Sequence, residues 1–158
     1  EEGVEEAELV GPEVGVVLSR FSCMSPGAYG QPWHQDAYED AHRYAYPDVH
    51  HLSSGPDHHV VAWLAVTEAT LASGCPWVLP GSHTEPVHAH VPDRRPGSRP
   101  GDAEIATYTV DRDLDAPVPV LMEAGDVLLI DSHLVHRWTD NHSHGSRAAM
   151  AYHYSPAG

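Results

Sequence analysis

Short apolar runs, separated by Gly, Pro, Asp or Ser, recur along the whole chain. Seven of them predict strands: VGVVLSRF with its core at 15–21, HVVAWLAVT at 59–67, WVLP at 77–80, EIATYTV at 104–110, VPVLME at 118–123, DVLLID at 126–131 and AAMAYHY at 148–154. Val, Ile, Leu and Tyr dominate them, as expected of residues that suit a pleated, half-buried surface. VVAWLAV is continuous rather than alternating, which predicts a strand buried on both faces. Only residues 3–9 carry a helical pattern, and a weak one. Residues 39–58 and 84–103 read as long loops, and loops of that length are usually functional lids or disordered.

Many short strands with long insertions predict a mainly β fold, a sandwich or jelly roll with little helix. At 158 residues the chain is most simply one domain, 1–158, with room for a real core. No apolar run is long enough to span a bilayer, and no signal peptide is visible, so the expected location is cytoplasmic. Cys23 and Cys75 are too few for a disulfide scaffold and read as two buried, reduced thiols.

The net charge is −15, and all eight basic residues are Arg. That balance disfavours nucleic acid or an anionic membrane as a partner. An anionic ligand needs a local cation or backbone N–H groups to hold it.

Histidine is the unusual component. PWHQD, 32–36, places His34 and Asp36 two residues apart, on one side if the backbone is extended. With 14 His and 12 Asp in the chain, about one His-x-Asp arises by chance. Imidazole plus carboxylate, completed by a distant His, is the facial triad of non-heme Fe(II) oxygenases. His133, His136, His142, His144 and His153 are all candidates for that third place. The rival pair His83 and Glu85 follows a Pro-Gly turn and reads as surface polarity.

Three blocks together resemble the phytanoyl-CoA dioxygenase family of Fe(II)/2-oxoglutarate oxygenases. They are PWHQD, VVAWLAVTEATLASGCPWVLPGSH at 60–83, and GDVLLIDSHLVHRWTDNHSHGSRAAMAYHY at 125–154. The resemblance implies a double-stranded β-helix, the cupin-like form of the jelly roll. It implies His34, Asp36 and His136 as metal ligands, with His133 a neighbour. It implies Arg147 for the far carboxylate of 2-oxoglutarate, and Trp63 lining that pocket. The family often has a small hydroxyl residue two after the distal His; here Trp138 stands there, and Thr139 is the nearest substitute. Only 33 residues precede His34, so N-terminal helices are expected to be short or missing.

The implied reaction converts 2-oxoglutarate and O2 to succinate and CO2 and hydroxylates a C–H bond of a small organic molecule. Family members that halogenate have a small residue in place of Asp36, so its presence favours hydroxylation or a related oxidation. Tyr38, His42, Tyr44 and Tyr46 are candidate substrate contacts. Arg94, Arg95 and Arg99 form a weak cationic cluster, which disfavours an acyl-CoA substrate. The alternatives are a cupin-like metal-binding or sensing module, or a cupin dioxygenase that needs no 2-oxoglutarate.

Overall fold

The computed structural model describes residues 14–37, 59–93 and 108–156. Among these residues nine strands form three antiparallel sheets: β1 (Val14–Met24), β2 (Val60–Ala65), β3 (Pro76–Val78), β4 (His90–Pro92), β5 (Tyr108–Val110), β6 (Val118–Pro119), β7 (Val127–Asp131), β8 (His136–Trp138) and β9 (Arg147–Pro156). The major sheet has the order β1-β9-β2-β7. A smaller sheet has the order β6-β3-β8, and β4 pairs with β5. Neighbouring strands are mostly far apart in sequence, as in a jelly roll. Strands dominate the described residues; helical backbone is confined to Asp36–Ala37 and a 3-10 turn at Ser82–Thr84. The fold is the mainly β one expected. No helix of the described residues is long and apolar enough to cross a membrane.

The continuous apolar run of β2 has its predicted consequence. It lies between β9 and β7, and five of its six residues are buried. β9 lies between β1 and β2, and its first three residues, Arg147, Ala148 and Ala149, are all buried. Ala151 stands opposite Trp63 in the register, so a small residue leaves room for the large one. One core cluster gathers Val61, Trp63, Ala65, Ala69, Cys75, Met122, Ile130 and Ala149, with Trp138 packed against it. A second gathers Trp33, Leu79, Val110 and Val135.

Several expectations change. VPVLME contributes only Val118–Pro119 as strand, followed by an isolated bridge between Met122 and Ala69. β4 arises within the predicted loop 84–103, where His90 pairs with Val110. β8 arises where no strand was predicted, and pairs with β3. Cys23 is exposed, contrary to expectation, because β1 is an edge strand; Cys75 is buried, and both thiols are free. The predicted helix at 3–9 lies outside the described residues, as do Tyr38, His42, Tyr44, Tyr46, Arg94, Arg95 and Arg99.

Candidate metal centre

Backbone pairing brings the two histidines together. His34 and His136 form an isolated antiparallel bridge, with N–H to O distances of 2.9 and 3.0 Å in the two directions. Directly opposed residues present their side chains on the same face. The rings accordingly lie 4.3 Å apart, centroid to centroid. Asp36, two residues after His34, turns its carboxylate to the same place. Its Oδ1 is 3.6 Å from His34 Nε2 and its Oδ2 is 3.8 Å from His136 Nε2. All three side chains are buried, and one donor atom from each lies within 4.8 Å of the others.

The hydrogen bonds fix which nitrogen faces the carboxylate. His34 Nδ1 donates to the Pro32 carbonyl oxygen at 2.8 Å, and His136 Nδ1 donates to the Leu134 carbonyl oxygen at 2.8 Å. A carbonyl can only accept, so each ring carries a proton on Nδ1 and turns Nε2, the nitrogen a metal would take, towards the carboxylate. Such a carbonyl partner orients a metal-binding imidazole. The Nε2 to carboxylate distances are too long for hydrogen bonds and suit three ligands around one ion. Two imidazoles and one carboxylate are the donor set of a non-heme Fe(II) centre with open positions. The residues fit the metal. Burial pushes the Asp36 carboxyl up, but the imidazoles of His136 and His34 outweigh it and hold the group far below the usual carboxylate range.

Gln35, between His34 and Asp36, is fully buried and makes its side-chain bonds away from the cluster. Its Nε2 donates to the carbonyls of His133 (2.8 Å) and Pro86 (3.3 Å), and its Oε1 accepts from His88 N–H at 2.8 Å. Its backbone N–H donates to His90 Nε2 at 3.2 Å. His133 is therefore a neighbour tied to the ligand segment through Gln35. Sequence reasoning missed Gln35 and His90, because a polar residue between two ligands carries no periodic signal.

Arg147 opens β9, opposite Met24 in the register. It is 2% exposed. Its guanidinium contacts Met24 Sδ and lies over the Trp63 ring, 5.1 Å from the centroid. Its Nε is buried with no hydrogen-bond partner, and no carboxylate pairs with it among the described residues. Burial pushes its pKa down to about 10, which leaves it charged at neutral pH. Asn141 secures the turn before it. The Asn141 Nδ2 donates to the carbonyls of Met24 and Gly145, both at 2.9 Å. Two glycines clamp the same segment: a Cβ on Gly30 would lie 1.9 Å from the Trp138 carbonyl oxygen, and one on Gly74 2.5 Å from that of Thr139.

Thr139 donates its hydroxyl to the Cys75 carbonyl oxygen at 3.3 Å. His83, His142 and His144 are exposed and away from the cluster. Glu85 pairs with Arg112 and His88. His153 is buried, stacks on His59 at 6.0 Å and helps to lower the Asp36 pKa, so it lies near the centre without belonging to the triad.

A profile of the phytanoyl-CoA dioxygenase (PhyH) family matches residues 10–149. The chain belongs to this family. Phytanoyl-CoA dioxygenase domain-containing protein 1 of Bos taurus is 36% identical over 96 residues, which cover 60% of this chain and 32% of that protein. EvdO2 from Micromonospora carbonacea var. aurantiaca, solved in complex with 2-oxoglutarate, matches with a TM-score of 0.70 and 25% identity, over 92% of this chain and 53% of that one. The α-ketoglutarate-dependent epimerase SnoN from nogalamycin biosynthesis, solved with Fe3+ and α-ketoglutarate, shares the fold at a TM-score of 0.64 and 19% identity, over 96% of this chain and 54% of that one. The chain thus spans about a third of the length of that curated relative and about half of each of the two solved structures.

Proposed function

We propose that this chain is the catalytic core of an Fe(II)/2-oxoglutarate-dependent oxygenase that hydroxylates a C–H bond of a small organic metabolite. One observation carries the reading. A buried facial triad shares the inside of the fold with a buried Arg that has no protein carboxylate of its own among the described residues. His34, Asp36 and His136 would hold the metal. Arg147 would hold the far carboxylate of 2-oxoglutarate, which its planar fork suits. Trp63 supports the guanidinium from one face.

When bound, iron and 2-oxoglutarate supply the oxidising chemistry, with O2 reduced and succinate and CO2 formed. The chain's own residues position and shield. The Nδ1–H bonds hold both imidazoles in one tautomer. Asp36 fills the third ligand position with a carboxylate, which favours hydroxylation over halogenation. The β2–β9 core excludes water from the Arg147 side. A cupin-like sensing module gives Arg147 no role.

The charge of −15 and the absence of Lys favour a neutral or cationic substrate over an acyl-CoA. Anaerobic addition of Fe(II) and 2-oxoglutarate tests the reading. A weak visible charge-transfer band is expected, and it is lost in Arg147→Ala. Intact protein that gives no band refutes the co-substrate assignment. Screening metabolites for triggered succinate release then identifies the substrate.

A further inference from the structure

We propose that Trp138 uses its indole N–H to hold a carboxylate oxygen of 2-oxoglutarate. The proposal rests on the co-substrate reading above and adds a residue to it. Trp138 is two residues after His136 on β8, so both side chains leave the strand on the same face. The Trp138 ring meets the His136 ring edge-on at 4.8 Å and the His34 ring at 5.5 Å. On its other flank it lies 6.3 Å from the Trp63 ring, which carries the Arg147 guanidinium. Trp138 therefore bridges the metal ligands and the cation, the two ends that a 2-oxo dicarboxylate must join.

Its Nε1 is buried and has no hydrogen-bond partner among the described residues. Buried indole N–H groups ordinarily find an acceptor, and one left without it is costly. The structure supplies none, and a bound carboxylate would. The neighbouring hydroxyl does not compete for the role, since Thr139 is already bonded to the Cys75 carbonyl. The indole thus takes the place of a hydroxyl donor with a larger, stiffer group that has a single donor and no acceptor. It would favour an acceptor such as an ionised carboxylate and resist a donor-only group, such as an ammonium, in the same place.

The test uses Zn(II) in place of iron, so that no turnover occurs, and protein labelled with an NMR-active isotope at its indole nitrogens. The chain has four Trp, and Trp138→Phe assigns the resonance by its loss. Should that variant fold poorly, Trp33→Phe, Trp63→Phe and Trp77→Phe assign the other three resonances and leave that of Trp138 by elimination. Adding 2-oxoglutarate should move the Trp138 N–H proton downfield. Trp138→Phe should bind 2-oxoglutarate about tenfold more weakly or worse, with metal affinity near wild type. An unmoved resonance, or wild-type co-substrate affinity in Trp138→Phe, overturns the proposal while leaving the oxygenase reading intact. Wild-type protein that does not bind 2-oxoglutarate overturns both.

Discussion

Arg147 lies over Trp63 with its guanidinium carbon 5.1 Å from the ring centroid, and no acidic side chain among the described residues neutralises it. An uncompensated buried charge destabilises the fold that holds it. Arg147→Met should therefore raise the stability of the metal-free protein by about 1–2 kcal/mol, a few degrees in Tm. The same change should weaken 2-oxoglutarate binding by about a hundredfold. A thermal melt and an anaerobic titration check the two halves separately. A variant that loses both stability and binding contradicts the explanation.

Asp36 gives a pH dependence with a definite sign. Its carboxyl is depressed in the folded chain. Its ionisation therefore stabilises the fold fully above the unfolded value of about 4, and that benefit is lost as pH falls through the folded pKa. Metal-free Asp36→Asn should be less stable than wild type at pH 7. The gap should persist down to about pH 4 and close below it. Chelator-treated protein, unfolded in denaturant across that range, gives the comparison. A gap that widens in acid is the opposite sign.

Gln35 should matter more than its lack of chemistry suggests. Gln35→Leu leaves the His88 N–H and the carbonyls of His133 and Pro86 without their buried partner. The expected cost is about 3 kcal/mol of stability. Fe(II) affinity should fall about tenfold, because the ligand segment loses its anchor. Isothermal titration and denaturant unfolding measure the two effects.

Gly30 and Gly15 form a matched pair. A Cβ at Gly30 collides with backbone at Trp138 and Thr139, whereas one at Gly15 meets nothing within 4 Å. Gly30→Ala should cost about 3 kcal/mol or more, and Gly15→Ala should stay within about 0.5 kcal/mol. Equal denaturation midpoints for the two variants would count against the clamp on the 138–141 segment.

Much of this was legible in the sequence, and the reasons for the rest are physical. The double burial of β2 is written in its unbroken apolar run. The ligand set could not be chosen from spacing, because His133, His142, His144 and His153 competed with His136. The resemblance resolved that through the interval from His136 to Arg147, and the structure brings the His34 and His136 rings together by backbone pairing. β8 was missed because three residues, His136–Trp138, flanked by polar residues, carry too short a pattern. Gln35, His90 and the Trp138 indole were missed because their partners are 55, 98 or more positions away, or are rings rather than neighbours in sequence.

Both metal-facing imidazoles take their orienting acceptor from the carbonyl two residues back, Pro32 for His34 and Leu134 for His136. Each ligand thus carries its own bracket within a tripeptide. The orientation of each ring is thus set locally, while the segment carrying Pro86, His88 and His90 reaches the site through Gln35. Loss of one bracket would therefore leave the other ring's orientation intact, so the two halves of the site can fail one at a time.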